Sequence, residues 1–171
     1  MEITREHRDV LEAMGVALLV LQSTEDVLRL CMTFVIQKKK LTLESLQQQE
    51  EIERNKTIGY FLSQLRHRVS VHPKFDSLLK DFLKNRNDFV HNLEQVPGWS
   101  MKSSEGRAAA KKFIYLLIEQ ASKVQQVFVG LLLAWQEQTG ISVPLPDHEW
   151  FSKVASAYKP LADCIFRAKD S

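Results

Sequence analysis

Apolar residues recur at three- and four-residue steps along most of the chain, a pattern typical of amphipathic α-helices. The first such segment covers about residues 4–37, and its predicted apolar stripe consists of Leu11, Met14, Leu18, Leu21, Leu28, Met32 and Val35. Glu25 fills one position of this stripe, within the sequence STED. Because a Ser or Thr followed by acidic residues is also typical of a helix N-terminus, the segment predicts either one long helix or two.

Two further helices are predicted between residues 53 and 95. The first covers about residues 53–69 and ends at VHP, because the residue before a proline is disfavoured in the helical region. The second begins near Pro73, since proline is tolerated in the first turn of a helix. Its apolar stripe is predicted to consist of Phe75, Leu79, Phe82, Phe89 and Leu93.

A loop with a Pro-Gly turn signal, VPGWSMKSSEG at 96–106, leads to a fourth helix of about 105–138 with Gly140 as its C-cap. A last helix is predicted over about 147–168, with Asp147 as its cap and a kink or break at Pro160. We find no strand pattern flanked by hairpin signals and no internal repeat. The sequence therefore predicts an all-α bundle of four to six helices, in a single domain of residues 1–171.

Composition and charge add few constraints on function. The chain has 171 residues, 44% of them hydrophobic, and a net charge of +2, which permits an RNA partner without arguing for one. The N-terminal MEITREHRDV does not resemble a signal peptide, and Glu119 and Lys123 interrupt the most apolar segment, 113–135. We therefore expect a cytoplasmic protein without a membrane partner. Its two cysteines show no metal-ligand spacing, and the sequence has no Gly-rich phosphate loop, so neither a metal ion nor a cofactor is expected.

The candidate chemistry lies in LKNRNDFVHN, residues 83–92. Arg86 falls in the apolar stripe of the third helix, where an unpaired charge would be costly to bury. Glu25 likewise falls in the apolar stripe of the first helix, where its unpaired charge would be costly to bury. We therefore predict that Glu25 and Arg86 pair across the helix interface. The alternative is that STED begins a new helix and leaves Glu25 in solvent as a first-turn acid.

Asn87 and His91 are four residues apart and share one helix face. His91 is five residues after Arg86, roughly 140° around an ideal helix, so both can border one cleft without touching. The bland interpretation is that Arg86 extends its charged end to solvent and that His91 is a surface cation near a helix end. Arg66 and His72 have a similar spacing, but they run into Pro73 at a helix boundary.

RNDFVHN resembles the Arg-polar-x-x-x-His signature of the HEPN superfamily (higher eukaryote and prokaryote nucleotide-binding domains), and NKTIGYFLSQL at 55–65 resembles the preceding helix of several such families. The resemblance covers roughly residues 20–140. Its members are all-α bundles, usually dimers, and many are metal-independent ribonucleases that act as toxins or in phage defence. Some members have a modified tyrosine three residues after the histidine, where this chain has Glu94.

The resemblance implies a catalytic set of Arg86, Asn87 and His91, with Glu25 in support. An RNA 2′-hydroxyl would attack the adjacent phosphorus while His91 moves a proton and Arg86 holds the phosphate. It also implies a homodimer with the third helices near the axis, and an antitoxin or other protein partner. The alternative function is a non-catalytic HEPN-like module that binds a nucleotide or a protein.

Overall fold

The computed structural model describes residues 3–36, 58–141 and 157–168. These residues are mostly helical, which confirms the all-α class. The helices are α1 (Arg5–Phe34), α2 (Ile58–Arg68), α3 (Pro73–His91), α4 (Ser104–Thr139) and the short α5 (Ala162–Ile165). Two 3₁₀ turns, Leu93–Gln95 and Lys159–Leu161, and two short strands, β1 (Val69–Val71) and β2 (Phe166–Ala168), complete the described elements.

The two long helices, α1 and α4, form the centre of the bundle and run in the same direction. Near their starts Arg107 Nε donates to Glu6 Oε2 at 2.9 Å, and further along Gln125 Nε2 donates to Ser23 Oγ at 2.6 Å. Ala17 and Ala121, both fully buried, allow close approach of the two backbones. This pair supports the remaining helices.

Helix α3 runs in the opposite direction along α4. The ring centroids of Phe75 and Phe128 are 6.0 Å apart at one end, and Asn85 Nδ2 donates to Gln120 Oε1 at 2.9 Å at the other. Pro73 is in the first turn of α3 as predicted. The predicted stripe is correct, since Phe75, Leu79, Phe82 and Phe89 are buried and Leu93 packs against the core.

The STED sequence does not begin a new helix, because α1 continues through it without a break. Thr24 is fully buried and its hydroxyl donates to the Val20 carbonyl oxygen at 2.7 Å, as expected inside a helix. The predicted stripe is wrong in the N-terminal half of α1, where Leu11 and Leu18 are 49% and 47% exposed. Smaller residues of the adjacent face, Val10, Ala13 and Ala17, are buried there instead, because they admit α4 more closely.

The predicted last helix is wrong at its C-terminal end. Residues Phe166–Ala168 form β2, which pairs antiparallel with β1 and places Val71 opposite Phe166. The Phe166 ring packs on Phe128, at a centroid distance of 5.5 Å, so a core contact favours the extended segment over another helical turn. Pro160 lies in a 3₁₀ turn, in agreement with the predicted break. Asp147 and the start of that predicted helix lie outside the described residues.

Helix α4 begins and ends at recognisable caps. The Ser103 side chain accepts a hydrogen bond from the Gly106 amide at 3.0 Å, and Gly140, with φ 69°, terminates the helix as predicted. Among the described helices α4 alone is long and apolar enough to cross a membrane by composition, yet half of its most apolar window is buried in the protein. The core helix of a globular protein passes the same test.

Candidate functional site

Arg86 and Glu25 form an ion pair between α3 and α1. Arg86 Nη2 donates to Glu25 Oε1 at 2.8 Å and Arg86 Nε donates to the same oxygen at 3.2 Å. The two side chains are 17% and 27% exposed, so the pair lies at the rim of the core rather than inside it. The predicted pairing is therefore present. It exists because α1 stays helical through Thr24 and keeps Glu25 on the side that faces α3.

Asn87 holds Arg86 from the other side. Arg86 Nη1 donates to Asn87 Oδ1 at 3.3 Å. A guanidinium group has five N–H donors, and three of them bind Glu25 and Asn87 among the described residues. These three bonds fix the plane of the group, and its other two N–H groups have no hydrogen-bond partner in the described part of the chain.

His91 is not part of this cluster within one copy of the chain. It is the last residue of α3 and is exposed, with no side-chain hydrogen bond or ion pair to any residue in the described part of the chain. Five residues of continuous helix separate it from Arg86, so the two side chains point roughly 140° apart. The structure brings together Arg86, Asn87 and Glu25, whereas His91 lies one turn beyond Asn87 on the solvent side.

The charges next to the site are largely compensated. Lys84 Nζ donates to Asp88 Oδ2 at 2.6 Å, one turn apart on α3. Glu94 is exposed in the 3₁₀ turn that follows α3. Because Glu25 and Asp88 offset the nearby cations, the described residues of this surface do not form the dense positive patch of a protein that attracts nucleic acid from a distance.

The second Arg-His pair of the sequence has a structural role. Arg66 Nε donates to Asp76 Oδ1 at 2.6 Å and so joins α2 to α3. His72 is the N-cap of α3, where its ring Nδ1 accepts from the Lys74 amide at 3.3 Å. Hydrogen bonds from Lys80 and from Arg66 hold the pKa of the Asp76 carboxyl below its ordinary value of 3.8.

Among the buried polar contacts that sequence reasoning missed is that of His7. Its ring nitrogens lie 2.7 Å from Thr4 Oγ1 and 3.0 Å from the Met101 carbonyl oxygen, so it fastens the start of α1 to the loop before α4. A Thr three residues before a His gives no distinct signal for such a contact. The side chain is 7% exposed, which favours a structural role.

Away from Arg86, the described residues form a cavity but no metal-ligand cluster. No cluster of three or more His, Cys, Asp or Glu side chains is arranged to hold a metal ion in the described ranges. A cavity of about 250 Å³ lies between β1 and α5, lined by Ser70, Val71, His72, Pro73, Cys164 and Ile165. None of the proposed catalytic residues borders it.

No family profile, curated protein or solved structure matches this chain. The resemblance to HEPN domains therefore rests on RNDFVHN, on the helix before it and on the all-α architecture.

Proposed function

We propose that this chain is a HEPN-like endoribonuclease that cleaves RNA without a metal ion. The observation that carries the proposal is the position of Arg86, which binds Glu25 and Asn87 through three N–H groups while its other two have no partner among the described residues. A guanidinium group fixed in this way can donate two parallel hydrogen bonds to a phosphate. Because Glu25 offsets its charge, Arg86 orients a bound phosphate rather than drawing RNA from a distance.

His91 supplies the proton transfer in this proposal. Imidazole titrates near neutrality and can act as an acid or as a base. The 2′-oxygen bonds to the adjacent phosphorus, the bond from phosphorus to the 5′-oxygen breaks, and the proton lost by the 2′-hydroxyl is balanced by one gained at the leaving oxygen. The products are a 2′,3′-cyclic phosphate and a 5′-hydroxyl. Asn87, which accepts a hydrogen bond from Arg86, orients the phosphate or His91.

The test is an RNA-cleavage assay in the presence of a chelator. Wild-type protein is expected to cleave, and His91→Ala is expected to abolish cleavage while circular dichroism stays unchanged, because His91 is exposed and holds nothing in place. The matched control is His67→Ala, since His67 is an exposed histidine in the last turn of another helix. Equal cleavage by wild type and His91→Ala would refute the role of His91 and would point to a contaminating nuclease.

The biological role proposed with this activity is that of a toxin or phage-defence nuclease, restrained by an antitoxin or other protein partner. Expression of the wild-type chain is then expected to arrest growth, and expression of His91→Ala is not. Growth arrest by both proteins at equal abundance would show that the toxicity does not depend on RNA cleavage, and would contradict this role.

A second candidate is a non-catalytic module that binds a nucleotide or a protein. The separation of His91 from Arg86 within one copy favours it, because a histidine in the last helical turn is also stabilised there by the helix dipole. In this case Arg86→Ala lowers the affinity for a nucleoside monophosphate measured by calorimetry, and His91→Ala leaves that affinity unchanged.

A further inference from the structure

Helix α1 carries an exposed strip of apolar residues on the side opposite its buried face. We name it the α1 outer strip, and it consists of Leu11, Gly15, Val16, Leu18 and Leu19, with the exposed Glu12 on the same face. The four large side chains are 49%, 51%, 47% and 68% exposed, in chain order. Several large apolar side chains within three helical turns are unusual on a free protein surface and mark a contact with another molecule.

Gly15 makes this strip suited to contact with a second helix. A Cβ atom added at Gly15 would meet nothing within 4 Å, so no neighbour in the same chain requires a glycine there. Glycine inside a helix costs about 1 kcal/mol relative to alanine. Gly15 leaves a gap on the surface of α1, one helical turn before Leu19. This gap can accommodate a large side chain from a facing helix.

The charges at the two ends of the strip are opposite. Arg8 lies before it and Asp26 after it, and both are exposed. Their separation of 18 residues equals five helical turns, so they lie on one line along α1, about 27 Å apart. Reversing the direction of the helix exchanges the two charges, which makes the strip complementary to an antiparallel copy of itself.

We propose that two copies of this chain associate through the α1 outer strip, antiparallel and related by a two-fold axis that crosses the strip at the level of residue 17. Arg8 of each copy then faces Asp26 of the other, and Leu19 of each covers Gly15 of the other. A two-fold contact of this kind uses the same patch on both copies. Asp26 already binds Arg29 at 3.1 Å, and its second carboxylate oxygen is available to Arg8.

The exposed side of α3 is a poorer surface for such a contact. Besides Val90, which is 41% exposed, it presents Lys84, Asn87 and His91. The sequence-based expectation of a dimer with the third helices near the axis stays a prediction, and it competes with the α1 outer strip. The inference does not depend on RNA cleavage.

Light scattering after size exclusion, over a range of micromolar concentrations, tests the proposal. The wild-type chain is expected to be a dimer. Gly15→Leu fills the gap without a clash inside the copy, so it should weaken the dimer about tenfold or more while circular dichroism shows an unchanged helical content. Leu19→Arg should have the same effect on the dimer. Leu116→Arg is the matched control, because Leu116 is 45% exposed on α4, and it should leave the dimer intact.

A charge exchange tests the antiparallel orientation. Arg8→Asp and Asp26→Lys should each weaken the dimer, because like charges then meet at both ends, and the double variant should restore it.

A wild-type monomer at all concentrations would overturn the proposal. So would a dimer that persists in Gly15→Leu and Leu19→Arg but dissociates in Asn87→Arg, since that result places α3 at the axis.

Discussion

Glu25 and Arg86 are separated by 61 residues in the chain, yet one carboxylate oxygen of Glu25 accepts two hydrogen bonds from the Arg86 guanidinium. The pair joins α1 to α3 at the rim of the core, where each charge is only partly hydrated. Each residue fills an apolar position of its own helix, so each offsets the cost of partly burying the other. The pair therefore fixes the orientation of Arg86 before any ligand arrives.

A double-mutant cycle measures this coupling. Glu25→Gln and Arg86→Ala are each expected to lower the free energy of unfolding, and their effects should overlap by about 1 kcal/mol in the double variant. Urea denaturation of the four proteins provides the values. Additive effects would show that the ion pair contributes no coupling. In the RNA assay, Glu25→Gln should reduce cleavage, and this reduction should shrink when Arg86 is alanine.

Asp76 should make stability depend on pH in the acid range. Its folded-state pKa is depressed, chiefly by the hydrogen bond from Lys80, so its stabilising contribution is complete above the ordinary value of 3.8 and is lost as the pH falls below that value. Asp76→Asn should therefore cost about 1 kcal/mol or less at pH 7 and nothing in strong acid. Denaturation of both proteins across this pH range provides the comparison, with Asp81→Asn as an exposed control on the same helix. A difference between wild type and Asp76→Asn that grows in acid would contradict this assignment.

The two cysteines should differ in reactivity. Cys31 is fully buried, its thiol donates to the Phe128 carbonyl oxygen at 3.1 Å, and burial raises the pKa of the Cys31 thiol. Cys164 is exposed. A thiol reagent should therefore modify one cysteine rapidly in the native protein and two in denaturant, and Cys164→Ser should remove the rapid phase. Two rapid thiols in the native protein would show that α1 and α4 separate readily near Cys31.

Phe128 should be among the most sensitive core positions. Its ring is fully buried and packs on both Phe75 and Phe166, so it links α4 to α3 and to β2. Phe128→Ala is expected to lower the free energy of unfolding by about 3–5 kcal/mol. The control Tyr115→Ala removes a ring that is 56% exposed on the same helix and should change stability by about 0.5 kcal/mol or less. Similar losses for both variants would place Phe128 outside the main core.

The sequence predicted well where one strong apolar stripe coincided with clear end signals. Helix α3 has Pro73 at its start and a single stripe, and α4 has Gly140 at its end, so both agree with the structure. The approach of Glu25 to Arg86 was also predictable, because each residue is the one charge in an otherwise apolar stripe. The catalytic role of these residues stays a prediction.

Periodicity failed where several helix faces are apolar. The N-terminal half of α1 has apolar residues on nearly every side, and only packing against α4 decides that Ala17 is buried and Leu18 exposed. The pairing of β1 with β2 could not be predicted from local sequence patterns. Each strand has only three residues, and its partner is almost a hundred residues away in the chain. The separation of His91 from Arg86 was predictable by contrast, because α3 continues as a regular helix to residue 91 and directs the two side chains roughly 140° apart.

The most direct test of the proposed function identifies the RNA ends produced in the presence of a chelator. Wild-type protein should produce 2′,3′-cyclic phosphate and 5′-hydroxyl ends, because the 2′-hydroxyl is the nucleophile and His91 only transfers a proton. Neither Arg86→Ala nor His91→Ala should produce these ends at a comparable rate, although both should remain folded. Products with 3′-hydroxyl ends, or unchanged cleavage by either variant, would contradict the assignment of Arg86 and His91 as the catalytic pair.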